Sequence, residues 1–231
     1  MQALALKVSS FGNESSLHSA VKTWIAEAGD RFEVEVDGFV VDIVRGDLLI
    51  EVQTRNFSAV REKLRSLVTN HRVRLVYPIA ARKWIVHIDN TDGGVVRRRL
   101  SPKKGQLIDL FDELVRIPHL VKEKNFELEV LLTEEEETRC NDGRGSWRRR
   151  GVSIRDHHLK GVVDGALFRC VEDYVCFLPY DLVQPFTSRQ LATHLGVSLR
   201  LARRMTYCLR RMSALQVEGK TGRALLFKSS V

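Results

Sequence analysis

Residues 31–36 alternate apolar and polar positions with period two, and two mainly apolar runs follow to residue 54, set off by Asp37-Gly38 and Gly46-Asp47. Period-two alternation is the pattern of strands, and Asp-Gly or Gly-Asp pairs between such runs favour two-residue hairpin turns. The stretch therefore predicts three meandering strands: RFEVEV (31–36), FVVDIVR (39–45) and LLIEVQT (48–54). A helical period precedes them, with Leu17, Val21, Trp24 and Ile25 on one face of 14–28 and Asn13 as its expected N-cap. A second helical face follows, carried by Phe57, Val60, Leu64, Leu67 and Val68 over 57–70. VRLVYPIA (73–80) and KWIVHID (83–89) then predict two more strands, which makes the order αβββαββ. Further on, the pattern predicts a basic glycine-containing connector at 91–106, an amphipathic helix over 107–122 and a strand at 126–132. An acidic run at 134–137 and a Gly/Arg-rich loop at 139–151 come next, with helix from about Ile154 onward.

Within the hairpin the polar positions matter most. With a two-residue turn at Gly46 and Asp47, Ile43 faces Ile50 and Asp42 faces Glu51. The same arithmetic on the first hairpin sets Glu33 opposite Asp42, and Gln53 shares that face. The other face carries Phe32, Val34, Val36, Val41, Ile43, Leu48, Ile50 and Val52, the expected core. Directly opposed carboxylates repel, more strongly where water is excluded. Two arrangements relieve that repulsion: a hard cation such as Mg²⁺ or Mn²⁺ between the acids, or a face open to water. Val40, Val44 and Leu49 share the acidic face, so something covers part of it.

The end of the chain has its own grammar. Ser188 is expected to cap a short helix, Gly196-Val197-Ser198 forms a turn, and Ser198 caps a longer helix to about Gln216. Leu201, Met205, Cys208, Leu209 and Met212 make its apolar stripe, and VEGKTGRALLFK reads as a two-stranded hairpin.

Composition and charge sharpen this picture. The chain has 231 residues, 44% apolar and 29% charged, which suits a folded chain of one large or two small domains. No apolar run approaches the ~18 residues a membrane helix needs, so no membrane association is expected. No signal-peptide pattern opens the chain. Cys140, Cys170, Cys176 and Cys208 form no CxxC pair, which suits free thiols in the cytoplasm. Net charge is +8, and residues 187–231 hold nine Lys or Arg against one acid, so that segment accounts for the whole excess. A charge excess gathered at one end suits a polyanionic partner. The loop at 139–151 adds Arg144, Arg148, Arg149 and Arg150 around Trp147, a pairing that suits backbone contact with base stacking.

A helix bearing Glu14, three meandering strands with Asp42 on the second and Glu51-Val52-Gln53 on the third, then a helix and a strand, resembles the PD-(D/E)xK nuclease superfamily. That group includes restriction endonucleases and Holliday-junction resolvases. The resemblance covers roughly residues 11–89. It implies an α/β fold with a restriction-endonuclease-like αβββαβ core and mixed sheet, a metal site at Asp42 and Glu51, help from Glu14, and Mg²⁺ or Mn²⁺ as cofactor. The family's lysine falls here on Gln53, which can orient a water but carries no charge; Arg55 lies two residues on. Residues 186–228 are similar to the winged helix-turn-helix family, in which the second helix enters a groove and the wing touches backbone. That resemblance assigns nucleic-acid contacts to Arg200, Arg203, Arg204, Arg210, Arg211, Lys220 and Arg223. Together these readings predict a nuclease-like domain at 1–92 and a connecting region at 93–154 that extends the sheet or bridges the domains. A mostly α winged-helix domain follows at 155–231. The expected function is metal-dependent DNA endonuclease acting on duplex or branched DNA. The alternatives are a catalytically inactive DNA-binding regulator or adaptor and an RNA-processing nuclease. Relatives of this kind commonly work as dimers, so a homodimer is expected.

Overall fold

A computed structural model describes residues 15–230. Helix α1 (Ser16–Ile25) leads into β1 (Arg31–Val36), β2 (Phe39–Arg45) and β3 (Leu48–Val52), followed by α2 (Arg61–Leu67) and β4 (Arg72–Ile88). β5 (Val95–Leu100), α3 (Phe111–Leu114), β6 (Phe126–Asn141) and β7 (Val152–Phe168) come next, with short 3₁₀ turns at Leu107–Leu110, Leu120–Lys122 and Trp147–Arg149. The chain ends in α4 (Val171–Val175), α5 (Ser188–Leu195), α6 (Leu199–Arg211), β8 (Leu215–Thr221) and β9 (Ala224–Ser229). The fold is α/β with one mixed seven-stranded sheet in the order β1-β2-β3-β4-β6-β7, β5 pairing β4, and a separate β8-β9 hairpin.

The hairpin turns form as the pattern predicts. Asp37 and Gly38 both take positive φ (50° and 80°), as a type I′ turn requires. Ile43 pairs Ile50, Val44 pairs Leu49 and Arg45 pairs Leu48. β3 then runs parallel to β4, so α2 is the crossover between them. Both faces of the sheet are covered. Leu17 and Val21 of α1 pack on Ile43, Leu48, Ile50, Val52, Val76 and Leu131. The opposite face, with Val44, Leu49, Val73 and Leu75, packs under Leu64 and Leu67 of α2 and Phe111 and Leu114 of α3. That core continues without a break into Leu201, Met205 and Leu209 of α6.

Several expectations are corrected. α1 is shorter than 14–28, and Ser15 is its cap, accepting from His18 N; Trp24 is exposed. β1 is an edge strand, so Phe32 is exposed rather than core, and Val34 and Val36 are only partly buried. The two strands expected at 73–80 and 83–89 are one strand, β4, with a bulge between Ala80 and Arg82 that absorbs the irregularity. The basic stretch expected as a connector contains β5. The acidic run lies inside β6, where Arg82, Lys83 and Arg98 pair Glu134, Glu137 and Glu136 across strands. Residues 152–168 form a strand rather than a helix; three register shifts against β6 break its period. The helix expected over 107–122 is three short pieces around Pro118. Thr187, not Ser188, caps α5, through a capping box with Gln190. Ser198 caps α6 as expected, accepting from Leu201 N, and α6 ends at Arg211. Among the described residues no helix is long and apolar enough to cross a membrane.

Candidate functional site

The β2–β3 hairpin brings Asp42 and Glu51 together below the surface, each 6% exposed. The backbone ladder stops at Ile43 and Ile50; beyond it the Asp42 carboxylate takes over, with Oδ2 accepting from Val52 N at 2.8 Å. His18 and Lys22, one helical turn apart on α1, both face Asp42: His18 Nε2 lies 3.2 Å from Oδ2 and Lys22 Nζ 3.4 Å from Oδ1. Lys22 also pairs with Glu33, whose positive φ of 52° turns it off the regular strand path. Burial raises the Asp42 carboxyl, but the hydrogen bond and charge of His18, Val52 N–H and the Lys22 charge outweigh it, so Asp42 titrates below the ordinary range. Glu51 goes the other way. Burial first, and the neighbouring Asp42 charge second, push its pKa up to about 7, against the pull of Lys63. Lys63 of α2 lies 2.5 Å from Glu51 Oε2 and donates to Val40 O. Two acids in one buried place thus divide into one held ionised and one poised near neutrality.

Gln53 sits beside them at the end of β3. Its side-chain amide donates to the carbonyls of Arg55 and Asn56, and its backbone N–H donates to Val76 O at 2.9 Å. Glu14 lies outside the described residues. His18, Lys22 and Lys63 were missed by sequence reading. Their partners are on other elements, and only the i, i+4 spacing of His18 and Lys22 hinted at a shared face.

A cleft of about 1040 Å³ opens next to Gln53. It exists because β3 and β5 pair the same edge of β4 at its two ends, at 72–76 and 84–88. Between them that edge is met only by loop backbone, Gly105 N to Ala80 O at 2.9 Å and Ser101 N to Lys83 O at 2.8 Å. Arg55, Lys83, Lys103, Arg144, Arg149 and Arg155 line the cleft, against Asp109, Asp112, Glu135 and Asp156. His18 and Gln53 line it too, standing between the open space and the buried carboxylates. Nearby, His157 lies 4.0 Å from Glu135 and 3.8 Å from Glu137, which Lys83 meets at 3.0 Å. Burial raises the Glu135 carboxyl and lowers the His157 imidazole.

The expected nucleic-acid residues divide by position. Arg144 and Arg149 reach the cleft, while Trp147 is 84% exposed at the β6–β7 tip with Arg148 over its ring. Arg150 is exposed on the same tip. On the C-terminal unit Arg203, Arg210 and Arg223 line a second hollow of about 530 Å³, between α5, α6 and the β8–β9 hairpin. Arg211 and Lys220 are exposed. Arg204 is committed elsewhere: it bonds the Asp112 carboxylate and carbonyl on α3, and Arg200 lies 3.8 Å from the same carboxylate. Arg204 thus braces α6 against the sheet domain, while Arg200 stays largely exposed beside it.

Residues 15–169 match a protein family described as Domain of unknown function (DUF8091). The chain belongs to this family. The matched span runs from α1 through β7, so the DUF8091 unit is the seven-stranded sheet with its helices, and the α5–α6 unit follows it. An "Uncharacterized protein" of Treponema pallidum (strain Nichols) is 31% identical over 217 residues, covering 93% of this chain and 85% of that protein. No solved structure matches the chain.

Proposed function

We propose that this DUF8091 protein is a divalent-cation-dependent DNA endonuclease whose reacting centre is the Asp42–Glu51 pair. The observation that carries the reading is that pair itself: two adjoining buried carboxylates behind His18 and Gln53 of a cation-lined cleft, one with its pKa driven to about 7 partly by the other's charge. The surrounding path supports it, because α1, the β1–β3 meander, α2 and a β4 parallel to β3 follow the order of a restriction-endonuclease-like core. The C-terminal α5–α6 unit with its β8–β9 hairpin follows the order of a winged helix.

The donor set suits Mg²⁺ or Mn²⁺. Magnesium uses one or two carboxylates and fills its shell with water and substrate phosphates. Among the described residues no cluster of three or more His, Cys, Asp or Glu gathers. Asp42 and Glu51 would hold the ion. A bound cation lowers the pKa of a water and neutralises charge growing on the phosphate. The chain's own residues do the rest. Val52 N–H and His18 fix the Asp42 carboxylate. Gln53, its amide nitrogen tied to backbone carbonyls, offers its oxygen to orient a water. Lys63 supplies the positive charge that glutamine lacks, beside Glu51. The cleft arginines seat the phosphodiester backbone.

A second reading, a DNA-binding adaptor with a retired centre, is favoured by the two lysines. Lys22 and Lys63 already balance the acids that a metal would need. Cleavage decides between them. Incubated with labelled linear, supercoiled and branched DNA and with RNA, the protein is expected to cut DNA with Mg²⁺ or Mn²⁺ and not with EDTA. Binding without cutting under any ion supports the adaptor; cutting confined to RNA supports an RNA-processing enzyme.

A further inference from the structure

The far half of the sheet treats its arginines in two different ways. On one face Arg98 Nε lies 3.1 Å from Glu136 and its guanidinium 5.0 Å over Trp84; Arg82 lies 2.7 Å from Glu134 and over the same ring. Both of these arginines are answered by a carboxylate and a ring. The other face carries Arg97 and Arg99 of β5, Lys83, Ile85 and His87 of β4, and Glu135, Glu137 and Arg139 of β6. There Arg97 pairs His87 across one strand boundary and Arg139 pairs His87 across the next. Two arginines and an imidazole therefore stand abreast on three adjacent strands, about 10 Å from end to end. Arg99 lies in the next row, opposite Ile85.

Arg97 and Arg99 meet no carboxylate among the described residues, and Arg139 shares Glu137 with Lys83. Like charges abreast on a sheet destabilise it. His87 feels them: burial first, then Arg139, Arg99 and Arg97, hold its pKa below the ordinary value. Lys83 lies on this same face and also lines the cleft, so the row continues the cationic lining away from Asp42 and Glu51.

We propose that this face of the β4–β5–β6 end is a nucleic-acid track, on which Arg97, Arg99 and Arg139 bind successive phosphates of a strand leaving the cleft. It is separate from the α6 surface, and it rests on the reading of the protein as a nucleic-acid enzyme. Its ligand is the phosphodiester backbone, without base recognition, because guanidiniums on a flat sheet reach phosphates rather than base edges. Arg98, one residue from both key arginines but on the answered face, is a control built into the strand.

The test is the salt dependence of binding by the full chain, read as fluorescence anisotropy of a labelled duplex and a labelled single strand. The Arg97→Ala/Arg99→Ala double variant is expected to reduce the slope of log affinity against log salt by about 1.8 on duplex and about 1.4 on a single strand, one phosphate per arginine. Arg98→Ala is expected to leave the slope unchanged, with all variants melting within a few degrees of the parent. A polymer that uses the track shows the loss expected for its own form, about 1.8 on duplex or about 1.4 on a single strand, and one that does not use it keeps the parent slope. If the double variant keeps the parent slope while Arg203→Ala/Arg210→Ala loses it, the track is overturned and the nucleic-acid reading stands. If Arg98→Ala loses as much as the double variant, the effect is bulk charge and the track is overturned. If the parent shows no salt-dependent binding to either polymer, the track and the nuclease reading fall together.

Discussion

Asp42→Asn is expected to reduce DNA cleavage by on the order of 10²–10³-fold, the scale on which removing one preorganised electrostatic group from a reacting centre acts, while DNA affinity stays within about twofold. Asparagine keeps the shape and an oxygen to accept Val52 N–H, so the hairpin end remains bonded as it is now. What it removes is the negative charge between His18, Lys22 and Glu51. Affinity is expected to be retained because the proposed phosphate contacts lie on the arginines lining the cleft and the second hollow, not on the buried acids. Parallel cleavage and anisotropy assays of the same preparations check both halves. An Asp42→Asn protein that cuts like the parent contradicts the assignment.

The second large effect is the share of the pH dependence of stability that Glu51 contributes. In the metal-free protein its pKa is about 7 folded, against 4.5 for the free side chain. A carboxyl raised in the folded state binds its proton more tightly there. Its stabilising contribution is therefore full below about pH 4.5, declines as pH rises, and is gone above about pH 7. The total is on the order of 3 kcal/mol. Glu51→Gln removes the titrating group and keeps a neutral side chain of the same size. With chelator present, denaturant titrations at pH 5 and pH 8 are expected to show the parent losing stability relative to Glu51→Gln by that order between the two. A difference that is the same at both pH values would show that Glu51 titrates normally.

These effects sit where the sequence was most readable. Residues 31–52 are punctuated by turn residues of the right kind, so strands and turns could be read and Asp42 placed beside Glu51. The single apolar face expected there is split, with Val34, Val36 and Val41 in the core under α2 and Ile43, Leu48, Ile50 and Val52 in the core under α1, because Glu33 at positive φ breaks the pleat opposite Asp42. Elsewhere local pattern conflicted with tertiary partners. Four consecutive glutamates in 134–137 look like a solvated loop, and only the cations of β4 and β5 make a strand of them. β7 carries extra residues at three register shifts, which scrambles its period. The VVRRRL of β5 has too many charges to announce a strand and is held by pairing to β4. The site was half legible for the same reason. Asp42, Glu51 and Gln53 share one hairpin, whereas Lys63 reaches Glu51 from α2, and His18 and Lys22 reach Asp42 from α1. Charge counting also misled in one respect. Residues 1–186 balance to zero, yet folding separates that charge, leaving Arg97 and Arg99 without a carboxylate among the described residues while Arg98 is paired on the other face.

The central claim is that Asp42 and Glu51 hold a divalent cation, and calorimetric titration of Mn²⁺ into chelator-stripped protein near pH 6.5 tests it most directly. At that pH Glu51 is largely protonated, so binding must expel its proton, and the measured heat will change with the ionisation heat of the buffer. Saturable binding with proton release is expected in the parent, and loss of that binding in both Asp42→Asn and Glu51→Gln. Absence of saturable binding in the parent, or binding that survives both substitutions, would contradict it.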